Sequence, residues 1–228
     1  MVKAVIFDLD DTLISERQYI ESGYHHISKI VSSKFSKNEQ EICQQLINLF
    51  DESSKNVFNR LMDKYGIRHT KDTIMELVEE YRNHLPDIEF YEDVLPCLEV
   101  LQQKGIKTGI ITDGYANAQK QKLIAVKAFD YFNEIIITDE LGREYWKPHP
   151  KAFEIMRDKL KAEFDEMVYV GDNPEKDFYI CKTYPIKTVR IHREGVYQDR
   201  AYFEDIKETQ LIYSLIEINL HDYKVSSV

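Results

Sequence analysis

The 228-residue chain carries a formal net charge of −10, and 43% of its residues are hydrophobic while 31% are charged. This composition is typical of a globular enzyme, and the length allows one substantial core with a smaller insert. The negative charge disfavours nucleic-acid binding, which depends on clustered lysine and arginine, and no apolar run reaches the roughly 18 residues that predict a membrane span. Because the N-terminus lacks the pattern of a secretion signal, we expect a cytoplasmic protein.

The first strand-like segment ends in a group of carboxylates. Residues 3–9 predict a buried strand, and its apolar residues run directly into Asp8, Asp10 and Asp11. Such a strand end is where open α/β sheets bind ligands. Two carboxylates about 4 Å apart repel by roughly 4 kcal/mol at an effective dielectric of about 20. The group therefore predicts a bound cation, a basic partner or raised pKa values.

The following hundred residues are mostly helical in pattern. Apolar residues recur at helical spacing and predict four amphipathic helices, whose apolar stripes span residues 20–31, 42–49, 57–65 and 74–81. Gly66 and Pro86 interrupt the pattern, the first at a helix end and the second at the return to the main domain. We expect these helices to form a small bundle inserted over residues 14–89.

From about residue 92 helix and strand patterns alternate. The predicted strands cover residues 106–111, 134–137, 167–171 and 187–191, and the predicted helices cover residues 94–101, 116–127, 152–160 and 175–183. Alternation of this kind predicts an α/β protein in which helices cover both faces of a parallel sheet. Residues 210–220 predict a final helix with Thr209 as its N-cap, and residues 224–228 predict a frayed tail.

The second main strand is followed by residues that suit a phosphate. Thr112 offers a hydroxyl, and the turn at Asp113 and Gly114 lets backbone N–H groups approach an oxyanion closely. Further along the chain Lys147 precedes a proline, which biases its backbone toward an extended conformation. A lysine held near several carboxylates can bridge them to a substrate phosphate.

A later strand is followed by residues that suit a metal. Asp172 comes directly after the strand at 167–171, and Asp177 lies about one helical turn beyond it. Mg²⁺ prefers oxygen ligands and keeps several waters, so one or two carboxylates and a substrate phosphate would satisfy it. Asp8 and Asp172 are the natural direct ligands. A calcium-binding EF-hand is excluded because the first loop lacks the Asp or Asn and the Gly that its fifth and sixth positions require.

Together these residues resemble the haloacid dehalogenase-like hydrolase superfamily, in its phosphatase subfamily with a type 1 helical cap. All four motifs of that family occur in order: D-x-D-x-T at Asp8, Asp10 and Thr12, a threonine at Thr112, a lysine at Lys147, and G-D-x-x-x-x-D at Gly171, Asp172 and Asp177. The resemblance implies a Rossmann-like, doubly wound parallel sheet as the catalytic core. This core would comprise residues 1–13 and 90–228, with the helical cap domain inserted over residues 14–89.

The resemblance also implies catalytic roles for the residues of the first motif. Asp8 would attack phosphorus and form an aspartyl-phosphate, while Asp10 would protonate the leaving alcohol and later activate water. An aspartate at the position of Asp10 is typical of phosphate-transfer members and disfavours carbon–halogen chemistry. Asp11 is expected to cap or solvate the turn rather than to react, and His149 is expected to occupy an exposed helix start.

Roles in binding follow from the same resemblance. Thr112, with the backbone amides of Asp113 and Gly114, would hold the phosphoryl oxygens, and Lys147 would neutralise both the nucleophile and the phosphate. Mg²⁺ would be held by Asp8, the backbone carbonyl of Asp10 and Asp172, while Asp177 would orient a water or Lys147.

The resulting functional hypothesis is a Mg²⁺-dependent phosphatase acting on a small phosphorylated metabolite, such as a sugar phosphate or a nucleoside monophosphate. Two alternatives remain open at this point. One is a phosphomutase that uses the same aspartyl-phosphate, and the other is a catalytically silent ligand-binding protein of the same fold. We expect a small-molecule phosphate monoester as the only partner, without nucleic acid or membrane, and a monomer or homodimer.

Overall fold

The computed structural model describes residues 1–193 and 199–220. Over these residues six strands form one sheet: β1 Ala4–Phe7, β2 Lys107–Thr112, β3 Glu134–Ile137, β4 Met167–Gly171, β5 Lys187–Ile191 and β6 Gln210–Ile212. The strand order is β3-β2-β1-β4-β5-β6, and every neighbouring pair is parallel. The chain therefore winds outward from β1 in both directions, and the predicted doubly wound α/β sheet is confirmed.

The predicted helices, apart from the final one, occur in the predicted order along the chain, and the structure adds one short helix, Ala128–Tyr131. They are α1 Glu16–Phe35, α2 Glu39–Glu52, α3 Val57–Lys64, α4 Lys71–Asn83, α5 Val94–Gln103, α6 Ala116–Ala125, α7 Ala128–Tyr131, α8 Lys151–Leu160 and α9 Ile180–Thr183. Helix α9 begins five residues later than the predicted start at 175, because residues 173–177 form a turn. None of the described helices has both the length and the apolar character needed to cross a membrane.

Two compact units divide the chain. One is Met1–Glu16 together with the described residues from Glu89 onward, which contain the sheet, and the other is the helical unit Arg17–Ile88. In the helical unit the predicted apolar stripes pack together, with Ile27, Val31 and Leu46 fully buried. Helix α4 begins with a capping box between Thr70 and Thr73. The role of the helical unit as a cap stays a prediction.

The final helix predicted at 210–220 is wrong. This segment instead adds β6 to the sheet, and a short 3₁₀ turn, Leu215–Glu217, follows. Thr209 makes no helix cap: its Oγ1 donates to the carbonyl of Thr188 over 2.6 Å and accepts from the Thr188 amide. Leu211 is exposed while Ile212 is buried, which is the alternation of a strand. The predicted tail at 224–228 lies outside the described residues.

One core cluster of the sheet unit lies between α8 and the strands beside it. Phe153 and Met156 of α8 are fully buried together with Tyr169 of β4, and the rings of Phe153 and Tyr169 meet edge to face at 4.9 Å. Because Tyr169 also reaches the carboxyl edge of the sheet, this packing supports the site described below.

We expect Phe153→Ala to destabilise the sheet unit by roughly 3–5 kcal/mol, because it removes a fully buried ring and leaves a cavity. Urea unfolding, followed by the fluorescence of Trp146, measures this loss, since Trp146 is the only tryptophan of the chain and lies in the same unit. Lys151→Ala, at an exposed position of the same helix, serves as the control. A loss below about 1 kcal/mol in Phe153→Ala would contradict the assignment of this core.

Candidate active site

The carboxyl end of β1 lies between those of β2 and β4. Phe7 pairs in register with Ile110 of β2 and with Val170 of β4. The ladder continues one residue further, where the Asp8 amide donates to the Val170 carbonyl over 2.8 Å. This register brings the residues that follow all three strands to one edge of the sheet.

Asp11 stabilises the turn after β1. Its backbone has a φ of 49°, in the left-handed region that aspartate tolerates better than most residues. Its Oδ1 accepts a hydrogen bond of 2.9 Å from the amide of Glu16, the first residue of α1. The prediction that Asp11 caps the turn is confirmed by this contact.

Three carboxylates converge at this edge. Asp8, Asp172 and Asp177 each offer an oxygen, and these atoms lie within 4.8 Å of one another. Burial raises the pKa of Asp8 to about 6, although Lys147 opposes the shift. Burial, followed by the charges of Asp177 and Asp8, raises the pKa of Asp172 well above its ordinary value. The negative charge here exceeds what nearby cations neutralise, and this all-oxygen donor set fits Mg²⁺.

Lys147 lies between two of these carboxylates. Its Nζ is 2.8 Å from Asp8 Oδ1 and 2.8 Å from Asp177 Oδ1, and all three side chains are almost completely buried. It also donates to the hydroxyl of Tyr169 over 2.7 Å. Burial disfavours the charge of this ammonium, but Asp177 and Asp8 outweigh it and raise the pKa of Lys147 above its ordinary value. Lys147 is therefore a fixed cation beside Asp8.

Asp177 is held by donors on both oxygens. Oδ1 accepts from Lys147 and from the Tyr169 hydroxyl, and Oδ2 accepts from the amide of Asn173 over 2.9 Å. A Cβ on Gly171 would lie 2.4 Å from Oδ2, so glycine at this position leaves room for the carboxylate. Asp177 is expected to orient a water or Lys147, and these contacts suit the second of these roles.

The loop after β2 is tied to the same edge through Asp113. Its Oδ1 accepts from the Thr138 hydroxyl over 2.7 Å and from the Lys147 amide over 3.1 Å, and its Oδ2 lies 3.3 Å from Lys176 Nζ. Burial opposes ionisation, but Lys147 and Lys176 outweigh it and lower the pKa of Asp113. Asp113 thus fixes the loop with its side chain, and its backbone amide is not used in these contacts.

The side chain of Gln119 contacts Thr112 and Asp10 and lies beside Gly114. Thr112 is fully buried at the end of β2, and its Oγ1 lies 2.6 Å from Gln119 Nε2. Gly114 has a φ of 131°, which favours glycine. The Asp10 carboxylate lies 2.8 Å from Gln119 Nε2 and 2.7 Å from Lys122 Nζ. The structure therefore places all eight predicted site residues at the carboxyl edge of β1, β2 and β4.

Sequence reasoning missed several polar residues of this edge. Gln119 and Lys122 lie on α6, Lys176 lies just before Asp177, and Tyr169 is an inward-facing residue of β4. The spacing of Gln119 and Lys122 puts them on one helix face, but that pattern is equally typical of a solvated surface. His149, in contrast, is exposed as predicted, and its Nδ1 accepts from the Lys151 amide at the start of α8.

Comparisons with known proteins agree with this geometry. The sequence profile of the family described as "Haloacid dehalogenase-like hydrolase" matches residues 5–191. The "Glyceraldehyde 3-phosphate phosphatase" of Methanopyrus kandleri is 32% identical over 206 residues, which cover 87% of each chain. The "Pyrophosphatase PpaX" of Bacillus pumilus is 28% identical and covers 75% of each chain. The crystal structure of an HAD phosphatase from Thermococcus onnurineus is 28% identical, with a TM-score of 0.60 over 95% of each chain.

We expect Asp172→Asn to raise the melting temperature of the metal-free protein by roughly 2–4 °C, the shift that about 1 kcal/mol produces in a chain of this size. The physical reason is that the substitution removes one buried, poorly compensated charge. Mg²⁺ should stabilise the unsubstituted protein but not the variant. Differential scanning fluorimetry with and without Mg²⁺ measures both effects.

Asp130→Asn, at an exposed carboxylate of α7, is the matched control and should behave like the unsubstituted protein. Equal stabilisation of Asp172→Asn and of the unsubstituted protein by Mg²⁺ would contradict the assignment of Asp172 as a metal ligand.

Proposed function

Because the chain belongs to the haloacid dehalogenase-like hydrolases and is a hydrolase of phosphate esters, we propose that Asp8 is its nucleophile. The observation that carries the proposal is the position of Asp8, whose buried carboxylate lies 2.8 Å from a fixed lysine and within 4.8 Å of two further carboxylates. A nucleophilic carboxylate needs nearby positive charge to accept an anionic phosphoryl group, and Lys147 supplies part of it.

The proposed reaction has two steps. In the first, a carboxylate oxygen of Asp8 forms a bond to phosphorus, the bond from phosphorus to the leaving oxygen breaks, and Asp10 gives its proton to that oxygen. In the second, water attacks the aspartyl-phosphate, Asp10 takes a proton from the water, and inorganic phosphate leaves with Asp8 restored. Thr112 and the amides of Asp113 and Gly114 hold the phosphoryl oxygens throughout.

A magnesium ion fits the acidic cluster of this site. Asp8, Asp172 and the backbone carbonyl of Asp10 would hold it, since Asp177 already uses both of its oxygens on other donors. When bound, the ion supplies positive charge that neutralises the phosphoryl oxygens and the carboxylates around them. Lys147 holds Asp8 in place independently of the ion.

The substrate we propose is a small sugar phosphate of the triose phosphate kind. The support is the relative from Methanopyrus kandleri, which is named for glyceraldehyde 3-phosphate and matches most of both chains. Inorganic pyrophosphate is the second candidate, supported by the relative from Bacillus pumilus and by Lys176, which adds a cation beside Asp113. Nucleoside monophosphates remain in the wider class to be assayed.

We further propose that the enzyme works in the cytoplasm, as a monomer or homodimer, on this small-molecule phosphate without a nucleic-acid or membrane partner. The net charge of −10 supports the exclusion of nucleic acid, because phosphate backbones would be repelled. Light scattering after gel filtration decides between monomer and homodimer.

We expect the purified protein to release phosphate from glyceraldehyde 3-phosphate with Mg²⁺ and to lose this activity on EDTA treatment. Asp8→Asn should lower kcat/KM by at least about 1,000-fold, because it removes the nucleophile. Asp11→Asn is the matched control from the same loop: it keeps an oxygen acceptor for the Glu16 amide and should retain activity within a few fold.

Phosphate release by Asp8→Asn at the unsubstituted rate would contradict the mechanism. Turnover of sugar phosphates into isomers, with little free phosphate, would indicate a phosphomutase instead. Binding of one member of a phosphate panel without turnover of any member would indicate a silent ligand-binding protein.

A further inference from the structure

Helix α6 directs two buried polar side chains toward the carboxylate of Asp10. Gln119 is 1% exposed and Lys122 is 4% exposed, and their spacing puts both on one face of the helix. Lys122 Nζ lies 2.7 Å from Asp10 Oδ1, and Gln119 Nε2 donates to Asp10 Oδ2 over 2.8 Å. Each oxygen of Asp10 therefore has its own donor on α6.

Gln119 also contacts the loop that follows β2. Its Nε2 lies 2.6 Å from Thr112 Oγ1 and 2.6 Å from the backbone oxygen of Asp113. A Cβ on Gly114 would come within 3.1–3.2 Å of the Gln119 side chain, so glycine leaves room for the glutamine. One amide group thus links Asp10 to the residues proposed to hold the phosphoryl group.

The burial of Lys122 requires a partner. Lysine is almost never fully buried without one, because an unpaired buried charge is costly. Lys122 is paired with Asp10. The side chain of Asp10 is 21% exposed to solvent, whereas that of Lys122 is 5% exposed. The lysine end of the pair is therefore fixed inside the protein, and the carboxylate end stays accessible to a substrate.

We propose that Lys122 and Gln119 are positioning residues that hold the Asp10 carboxyl where it gives a proton to the leaving oxygen and later takes one from water. This inference rests on the proposed function, in which Asp10 is the acid and the base. A misplacement of about 1 Å can cost about 100-fold in rate. Gln119 also fixes the position of the Asp10 carboxyl relative to the Thr112 hydroxyl. The group that transfers the proton is thereby held in place beside a group that binds the phosphoryl oxygens.

A comparison of leaving groups separates this role from a purely structural one. Phenyl phosphate and p-nitrophenyl phosphate are similar in shape, but p-nitrophenol is far more acidic and leaves without help from a proton donor. The value of kcat/KM reports the steps up to formation of the aspartyl-phosphate. A displaced acid therefore lowers kcat/KM for phenyl phosphate much more than for p-nitrophenyl phosphate, whereas general damage to the site lowers both alike.

We expect Lys122→Met to lower kcat/KM for phenyl phosphate by at least about 10-fold and for p-nitrophenyl phosphate by less than about 3-fold, since a general acid contributes roughly 100-fold or more. With p-nitrophenyl phosphate the variant should show a rapid burst of p-nitrophenol, because water attack on the aspartyl-phosphate also needs Asp10. Lys122→Arg keeps a cation and should recover most of the loss. Gln119→Leu should show the same selective loss of kcat/KM for phenyl phosphate. If Lys122→Met fails to fold, this second variant tests the positioning role.

Lys120→Met, at an exposed position of the same helix, is the matched control and should leave both substrates unaffected. Asp10→Asn is the reference for complete loss of the acid. Equal losses with the two substrates in Lys122→Met and Gln119→Leu, beside a selective loss in Asp10→Asn, would overturn the positioning role alone. An unsubstituted protein without phosphatase activity would overturn the proposed function, and the positioning role with it.

Discussion

The ammonium of Lys147 between Asp8 and Asp177 is the interaction on which the rest of the site depends. Two carboxylates buried this close repel by several kcal/mol, and only a cation between them makes their burial tolerable. Burial nevertheless raises the pKa of Asp8 and Asp172, and the charge of Asp177 adds to both shifts. The fold therefore needs the lysine, and the three carboxylates beside it form a donor set that fits a second cation.

The parallel sheet explains why residues so far apart in sequence form one site. Asp8 follows β1, Thr112 is the last residue of β2 and Asp172 follows β4, and the strand order places β1 between the other two strands. Because all three strands run in the same direction, their carboxyl ends meet at one edge. Lys147 arrives on the loop before α8, whose Phe153 packs against Tyr169, the residue that contacts both Lys147 and Asp177. Tyr169 therefore belongs both to the packed core and to the hydrogen bonds that hold the charged side chains of the site.

Most of the fold and the acidic cluster could be predicted from the sequence, because strand ends followed by carboxylates form a local pattern. Gln119 and Lys122 could not, since a polar helix face gives no indication of whether it meets solvent or another segment. The helix predicted at 210–220 failed for a related reason. Leu211, Leu215 and Ile218 recur at helical spacing, but Leu211 is exposed while its neighbour Ile212 is fully buried, and pairing with β5 decided the structure.

The loop after β1 carries three carboxylates within four residues, and each has its own partner. Asp8 contacts Lys147, Asp10 contacts Lys122, and Asp11 accepts from a backbone amide. The two lysines come from separate segments that lie more than 100 residues from the loop. Both lysines therefore reach the loop only when α6 and the segment before α8 have packed on the sheet. The contacts that fix the carboxylates of the site thus also join α6 and the segment before α8 to the loop after β1.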